Sequence, residues 1–93
     1  LAVEMLEKEL QTIQTPIIFM GDLNAGCGSE EVKRVSELLK ATSSDGRYYT
    51  FDTKNPRWQI DYIFTSEDME VEDVRMPDIR FSDHFPLVAD LRF

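Results

Sequence analysis

The side chains with the clearest chemical potential lie at the end of the apolar run 17–20, where Asp22 and Asn24 follow Gly21. The run is short and opens directly after Pro16, which predicts a strand buried on both faces. A carboxylate and a carboxamide at a strand end are typical of a ligand site, because ligands of α/β sheets collect there. The alternative is an Asx-type turn, in which both side chains bond the local backbone. This segment alone leaves both interpretations open.

A second acid, Asp61, lies within the predicted strand 59–65 and has apolar neighbours on both sides. Burying an unpaired carboxylate is costly, so Asp61 requires a cation, a metal ion or strong hydrogen-bond donors. His84, the only histidine of the chain, is the favoured partner, because a carboxylate on one imidazole nitrogen fixes the tautomer and stabilises the charged ring. Asp83 is disfavoured as that partner, since consecutive side chains of extended backbone point to opposite faces, and Ser82, Asp83 and His84 are therefore not a hydrolase triad. The alternative is a lone histidine that caps a strand beside a turn.

Hydrophobic periodicity predicts the elements that position these groups: helices over 3–14 and 30–41, a loop over 42–46, and strands within 47–51, 59–65, 67–78 and 86–93. Ser29 is the predicted N-cap of the second helix. In the last strand, alternate side chains are predicted to face inward, namely Leu87, Ala89, Leu91 and Phe93. Trp58 is predicted to be packed rather than to form a substrate rim. Helix and strand segments in this order indicate an α/β layered fold.

Composition limits the kind of protein. The chain has 93 residues, 42% of them hydrophobic, and a net charge of −8, which suits one small packed domain. An acidic surface weighs against broad nucleic-acid binding, because that binding depends on Lys and Arg. Cys27, the single cysteine, excludes an internal disulfide and a multi-cysteine zinc site. No apolar run approaches the roughly 18 residues of a membrane span. Because residue 1 is Leu and already lies in an amphipathic pattern, the chain is expected to be part of a longer protein.

Three segments together resemble a known family. Gly-Asp-Leu-Asn at 21–24, Ile-Asp-Tyr-Ile-Phe at 60–64 and Ser-Asp-His at 82–84 are similar to the last three motifs of the endonuclease/exonuclease/phosphatase family, metal-dependent phosphoesterases with the deoxyribonuclease-I-like fold. The resemblance covers residues 16–93 and implies part of a four-layer α-β-β-α sandwich with two mainly antiparallel sheets. It also implies that residues 1–93 form the C-terminal portion of one such domain, whose N-terminal portion, with a metal-binding glutamate, is absent from this chain.

The resemblance also implies a role for each matched residue. Asp22 would orient or deprotonate the attacking water, and Asn24 would hold that water or a phosphate oxygen. His84, charged and held by Asp61, would bind the phosphate and stabilise the pentacovalent state. Asp83 would help to bind a divalent cation, Mg²⁺ or Mn²⁺, since an all-oxygen site suits hard ions.

The intact parent domain is therefore expected to hydrolyse a phosphoester as a phosphodiesterase, phosphatase or nuclease, with a phosphorylated small molecule, lipid or nucleic acid as substrate. The acidic balance favours a small phosphoester over long duplex DNA. The isolated chain is expected to be inactive without the missing N-terminal half. It is also expected to self-associate through one apolar sheet face, formed by Ile18, Met20, Ile60, Tyr62, Phe64, Leu87 and Leu91. The alternative is a non-catalytic structural or interaction fragment that retains the motifs.

Overall fold

The computed structural model of the protein describes residues 3–43 and 46–93. The elements in chain order are α1 (Val3–Thr12), β1 (Ile18–Asp22), α2 (Glu30–Leu38), β2 (Lys40–Ala41), β3 (Asp61–Thr65), β4 (Glu70–Arg75) and β5 (Val88–Arg92). Residues 44 and 45 of the predicted loop, and the side chain of Val3, lie outside the described part of the chain. The prediction of a mixed α/β fold with antiparallel strands is confirmed.

Two antiparallel sheets organise the strands. β1 and β2 both pair with β3 in a three-stranded sheet of order β1-β3-β2, while β4 pairs with β5. In the register of β1 and β3, Asp22 lies directly opposite Asp61. Because directly opposed residues of antiparallel strands share one face, this register brings the two carboxylates to the same side of the sheet.

The hydrophobic core forms where α1 and α2 pack against the other face of this sheet. Its buried residues lie in α2, at the C-cap of α2 and in β3: Val32, Val35, Leu39, Tyr62 and Phe64. Leu6, Leu10 and Phe19 pack against this cluster. The side chain of Ser29 accepts a hydrogen bond from the backbone N–H of Val32, as an N-cap does. The capped helix thus fixes the chain directly after the loop that carries Asn24.

Several predicted boundaries were wrong. α1 ends at Thr12, and α2 ends at Leu38, because Leu39 adopts extended backbone and the next two residues pair with β3 as β2. Segment 47–51 is not a regular strand, although Phe51 forms isolated bridges with Trp58 and with His84. Segment 67–78 contains the predicted strand, which is the six-residue β4. For α2, for segment 47–51 and for β4, pairing with a distant segment decides the conformation.

The prediction that β1 is buried on both faces was also wrong. Ile18 and Met20 are 46% and 67% exposed. They lie opposite Thr65 and Ile63, on the face directed away from the helices, so they do not share a face with Tyr62. The predicted single apolar face therefore divides into two: one covered by α1 and α2, and one that holds Ile18 and Met20.

Two aromatic residues predicted to be packed are largely exposed. Phe93 is 83% exposed, because β5 ends at Arg92 and Phe93 has no strand partner. Trp58 is 58% exposed, since its backbone pairs with Phe51 while most of its side chain remains open to solvent. In β5 the predicted alternation holds at Ala89 and Leu91, which are half-buried beside the exposed Asp90 and Arg92, whereas Val88 is half-buried like Leu87.

Candidate active site

Asp22, Asp61 and His84 meet at one end of the three-stranded sheet. Asp22 is the last residue of β1 and Asp61 the first of β3, and the two are directly paired. His84 comes from the segment before β5, which is attached through the bridge between His84 and Phe51. Its Nδ1 lies 2.7 Å from Oδ2 of Asp61, and its Nε2 lies 3.7 Å from Oδ2 of Asp22. The predicted contact between Asp61 and His84 is therefore confirmed.

The hydrogen bond to Asp61 determines which nitrogen of the His84 ring carries a proton, and it also affects the pKa of His84. A carboxylate only accepts hydrogen bonds, so Nδ1–H of His84 donates to Asp61 and the ring presents Nε2 toward Asp22. This hydrogen bond is the main cause that raises the pKa of His84, opposed by partial burial and supported by the charges of Asp61, Asp22 and Asp83. The Nε2–Asp22 separation exceeds hydrogen-bond distance. Nε2 of His84 and Oδ2 of Asp22 are therefore neighbours that do not hydrogen-bond to each other.

The turn after β1 combines the two interpretations of Asp22. Oδ1 of Asp22 accepts the backbone N–H of Asn24 at 2.8 Å, which is an Asx turn. Oδ2 is the oxygen that faces His84. Asn24 has φ of +53°, a left-handed conformation that Asn adopts more readily than most residues. The turn leaves the Asn24 side chain exposed beside the cluster and keeps one Asp22 oxygen available for chemistry.

Asp83 lies outside the cluster of three. Its exposed carboxylate accepts a hydrogen bond from the hydroxyl of Ser82 at 3.2 Å, and its carbonyl oxygen accepts the N–H of Thr53 at 3.0 Å. Over residues 3–43 and 46–93, the acidic and imidazole groups close enough to share a metal ion are Asp22, Asp61 and His84. Asp83 as a metal ligand therefore stays a prediction.

The donor set is compatible with a hard cation bound through oxygen atoms. Within the described chain, neither Asp22 nor Asp83 has a Lys or Arg partner. Carboxylates without a Lys or Arg partner suit Mg²⁺ or Mn²⁺. His84 suits such an ion less well, because Mg²⁺ and Mn²⁺ prefer oxygen ligands to imidazole nitrogen.

Two residues that support the site were missed from the sequence. The buried hydroxyl of Tyr62 lies 2.9 Å from the carbonyl oxygen of Ala25 and 2.8 Å from that of Gln59, so it ties the loop after Asn24 to the approach to β3. Burial raises the pKa of Tyr62, which keeps this hydroxyl a donor. The ring of Phe51 lies 4.9 Å from the ring of His84, between centroids. Tyr62 could have been suspected from its inward position in the strand, whereas nothing local indicates the contact of Phe51.

Comparison with known proteins shows the family of the chain. A sequence model of the endonuclease/exonuclease/phosphatase family matches residues 2–84. The chain belongs to this family. No curated protein sequence matches it. No helix in the described ranges is long and apolar enough to cross a membrane.

Three solved structures share the fold. The first is an endonuclease/exonuclease/phosphatase from Bacteroides vulgatus, with a TM-score of 0.80 and 23% identity over 98% of this chain and 42% of that one. The second is a mannosyl-6-phosphatase from Bacteroides thetaiotaomicron, with a TM-score of 0.75 and 24% identity over 98% of this chain and 43% of that one. A functionally unknown conserved protein from Enterococcus faecalis has a TM-score of 0.74 and 26% identity, over 97% and 40% of the two chains. The chain thus spans less than half the length of these proteins.

Proposed function

We propose that the domain to which this chain belongs hydrolyses a phosphoester with the help of a divalent metal ion. The observation that carries this proposal is the array Asp22–His84–Asp61, with separations of 3.7 Å and 2.7 Å at the ends of paired strands. Membership of the family supports phosphoesterase chemistry in general. The roles of Asp22, Asp61 and His84 rest on the geometry of this array, and those of Asn24 and Asp83 rest on the family resemblance.

His84 acts on the phosphate. Hydrolysis builds negative charge on the equatorial oxygens of phosphorus, and a charged donor aimed at one of them stabilises the transition state. Nδ1–H of His84 is held by Asp61, so Nε2–H is the group that donates to the phosphate. Because the bond to Asp61 raises the pKa of His84, the ring stays charged at higher pH than an isolated histidine.

Asp22 and Asn24 act on the attacking water. Oδ2 of Asp22 is not used by the Asx turn, and the Asp22 side chain is 41% exposed, so this oxygen can accept a proton from water. The carboxamide of Asn24 orients the water or a phosphate oxygen without adding negative charge. The water is thereby held on the side of the phosphate that faces Asp22.

The carboxylate of Asp83 would hold the metal ion, Mg²⁺ or Mn²⁺, together with acidic ligands from the remainder of the domain. When bound, the ion neutralises charge on the phosphate and on the leaving oxygen. In this arrangement the chain alone holds an incomplete site, and it is inactive without the remainder of the domain.

The substrate is a small phosphoester, such as a phosphorylated sugar, small metabolite or lipid headgroup, in preference to long duplex DNA. The net charge of −8 supports this preference, because a strongly acidic surface repels a polyanion unless a basic face compensates. A nucleic acid remains within the reaction class, since the chemistry at phosphorus is the same.

A second candidate is a structural or interaction fragment without activity. It is favoured by one observation: the chain spans only about two fifths of its structural relatives. The two candidates differ in whether an intact domain containing this chain turns over phosphoesters at all.

Variants of an intact domain that contains this chain test the proposal. His84→Ala and Asp22→Asn are each expected to lower kcat by about two orders of magnitude, the usual effect of losing an oxyanion donor or a general base. Asp78→Asn is the matched control, because Asp78 is 73% exposed and pairs with Arg80 rather than with a residue of the cluster. Turnover at the wild-type level in both site variants would refute the assignment. A wild-type domain inactive on phosphomonoesters and phosphodiesters alike would favour the second candidate.

A further inference from the structure

Thr50 connects the two backbone segments that carry Asp61 and His84. Its side chain is completely buried. The hydroxyl oxygen accepts the N–H groups of Ile60 at 3.2 Å and Asp61 at 3.3 Å. The carbonyl oxygen of Thr50 accepts the N–H of Phe85 at 2.8 Å. One residue thus contacts the start of β3 on one side and the residue after His84 on the other.

Phe51 continues the same connection. It pairs with His84 as an isolated bridge, and its ring lies 4.9 Å from the imidazole, between centroids. On its other side it exchanges backbone hydrogen bonds with Trp58, at 3.1 Å and 3.0 Å. Segment 50–51 therefore lies as a short extended piece between the approach to β3 and the segment of His84.

The sheet itself does not hold Asp61 on this side. β2 is two residues long and pairs only with Phe64 and Thr65 at the far end of β3. β1 pairs with Asp61 from the opposite edge. The hydroxyl of Thr50 supplies the acceptor at the edge that β2 does not reach, at the residue where the carboxylate must be placed.

We propose that Thr50 is a positioning residue for the Asp61–His84 pair, because its hydroxyl and carbonyl oxygens fix the backbone at Asp61 relative to the backbone at His84. A side-chain hydrogen bond of 2.7 Å between residues 23 positions apart requires both backbones to be held. The catalytic consequence rests on the proposed function, whereas the geometric claim is independent of any activity. Loss of the hydroxyl leaves the N–H groups of Ile60 and Asp61 without that acceptor, and the chain shifts to find water.

The chain contains a matched pair of buried threonines for the test. Thr50 and Thr65 are both fully buried. The hydroxyl of Thr65 has no hydrogen-bond partner in the described part of the chain. Thr50→Val and Thr65→Val thus remove the same atom in the same way, but only the first removes hydrogen bonds. Thr50→Ser retains the hydroxyl and removes only the methyl group.

The readout is the state of His84, which NMR resolves without ambiguity because it is the only histidine. At a fixed pH where the ring is neutral, the bond to Asp61 holds the Nδ1–H tautomer, which nitrogen chemical shifts identify. In Thr50→Val the ring is expected to become a mixture of both tautomers. The backbone amide of Asp61 is expected to exchange with solvent about tenfold faster, the factor that corresponds to losing about 1.4 kcal/mol of hydrogen bonding.

Thr65→Val and Thr50→Ser are expected to keep the wild-type tautomer and the wild-type exchange rate at Asp61. A folded Thr50→Val protein with both readouts unchanged would overturn the proposal. If Thr50→Val does not fold, Thr50→Ser decides, since loss of the Nδ1–H tautomer in that variant would show that the hydroxyl does not position the pair. In the intact domain, Thr50→Val is expected to lower kcat with little change in KM, because the array faces the transition state.

Discussion

Asp61→Asn tests the energetic coupling between Asp61 and His84. Asparagine keeps the shape of the side chain and an acceptor oxygen for Nδ1–H, but it removes the negative charge. A hydrogen bond to a charged group contributes about 1.5–3 kcal/mol. The Asp61 and His84 side chains keep 22% and 28% of their exposure, and solvent screening places the expected loss at the lower end, about 1.5 kcal/mol. That loss corresponds to about a tenfold change in the folding equilibrium.

The pH dependence of this loss is the sharper part of the test. The folded pKa of His84 is raised by Asp61, so the stabilisation is fully present below the unfolded pKa of about 6.5. It is lost as pH rises through the folded pKa, because the ring becomes neutral. Urea unfolding followed by circular dichroism is therefore expected to show a larger difference between wild type and Asp61→Asn near pH 5.5, about one unit below the ordinary pKa, than in alkaline buffer.

Asp78→Asn is the control for surface charge. Asp78 pairs with Arg80 at 2.8 Å but is 73% exposed, so its loss is expected to cost at most about 1 kcal/mol, equally in both buffers. An Asp61→Asn loss that does not change with pH would show that the carboxylate does not stabilise the imidazolium. Stability equal to wild type in both buffers would refute the coupling altogether.

Three further predictions concern the fold and the exposed sheet face. Val35→Ala is expected to lower the free energy of unfolding by about 2 kcal/mol, because Val35 is fully buried; Leu38→Ala, at a site 36% exposed, is expected to cost less than about 1 kcal/mol in the same urea titration. Ser29→Ala removes the cap of α2 and is expected to cost about 1 kcal/mol. Light scattering is expected to show self-association of the chain that Met20→Lys weakens, because Met20 is 67% exposed on the sheet face directed away from the helices; a monomer at high concentration would contradict this.

The site was more predictable from the sequence than the faces of its strands. Asp61 stands alone among apolar residues and demands a donor, and His84 is the only imidazole available. These two facts lead to the pair that the structure contains. The turn chemistry of Asp22 and Asn24 was equally local, and it explains why the Asx turn and the orientation toward His84 occur together.

Other features depend on pairing that no local pattern encodes. Four apolar residues in a row have no alternation, so the run 17–20 does not reveal which side chains face the helices; only the register with β3 assigns Phe19 to the core and Met20 to the other face. The early end of α2 has the same cause, because β2 competes for the residues after Leu38. Thr50 acts through partners ten or more positions away, and a threonine between aromatic residues gives no sign of that role.

Initial rates of phosphoester hydrolysis by an intact domain that contains this chain test the proposed activity most directly. With excess chelator the rate is expected to fall to background, and Mg²⁺ or Mn²⁺ is expected to restore it, while the same domain with His84→Ala stays about a hundredfold slower after metal is returned. Hydrolysis that continues unchanged in the presence of chelator, or full recovery of the His84→Ala domain by metal alone, would contradict the proposed activity.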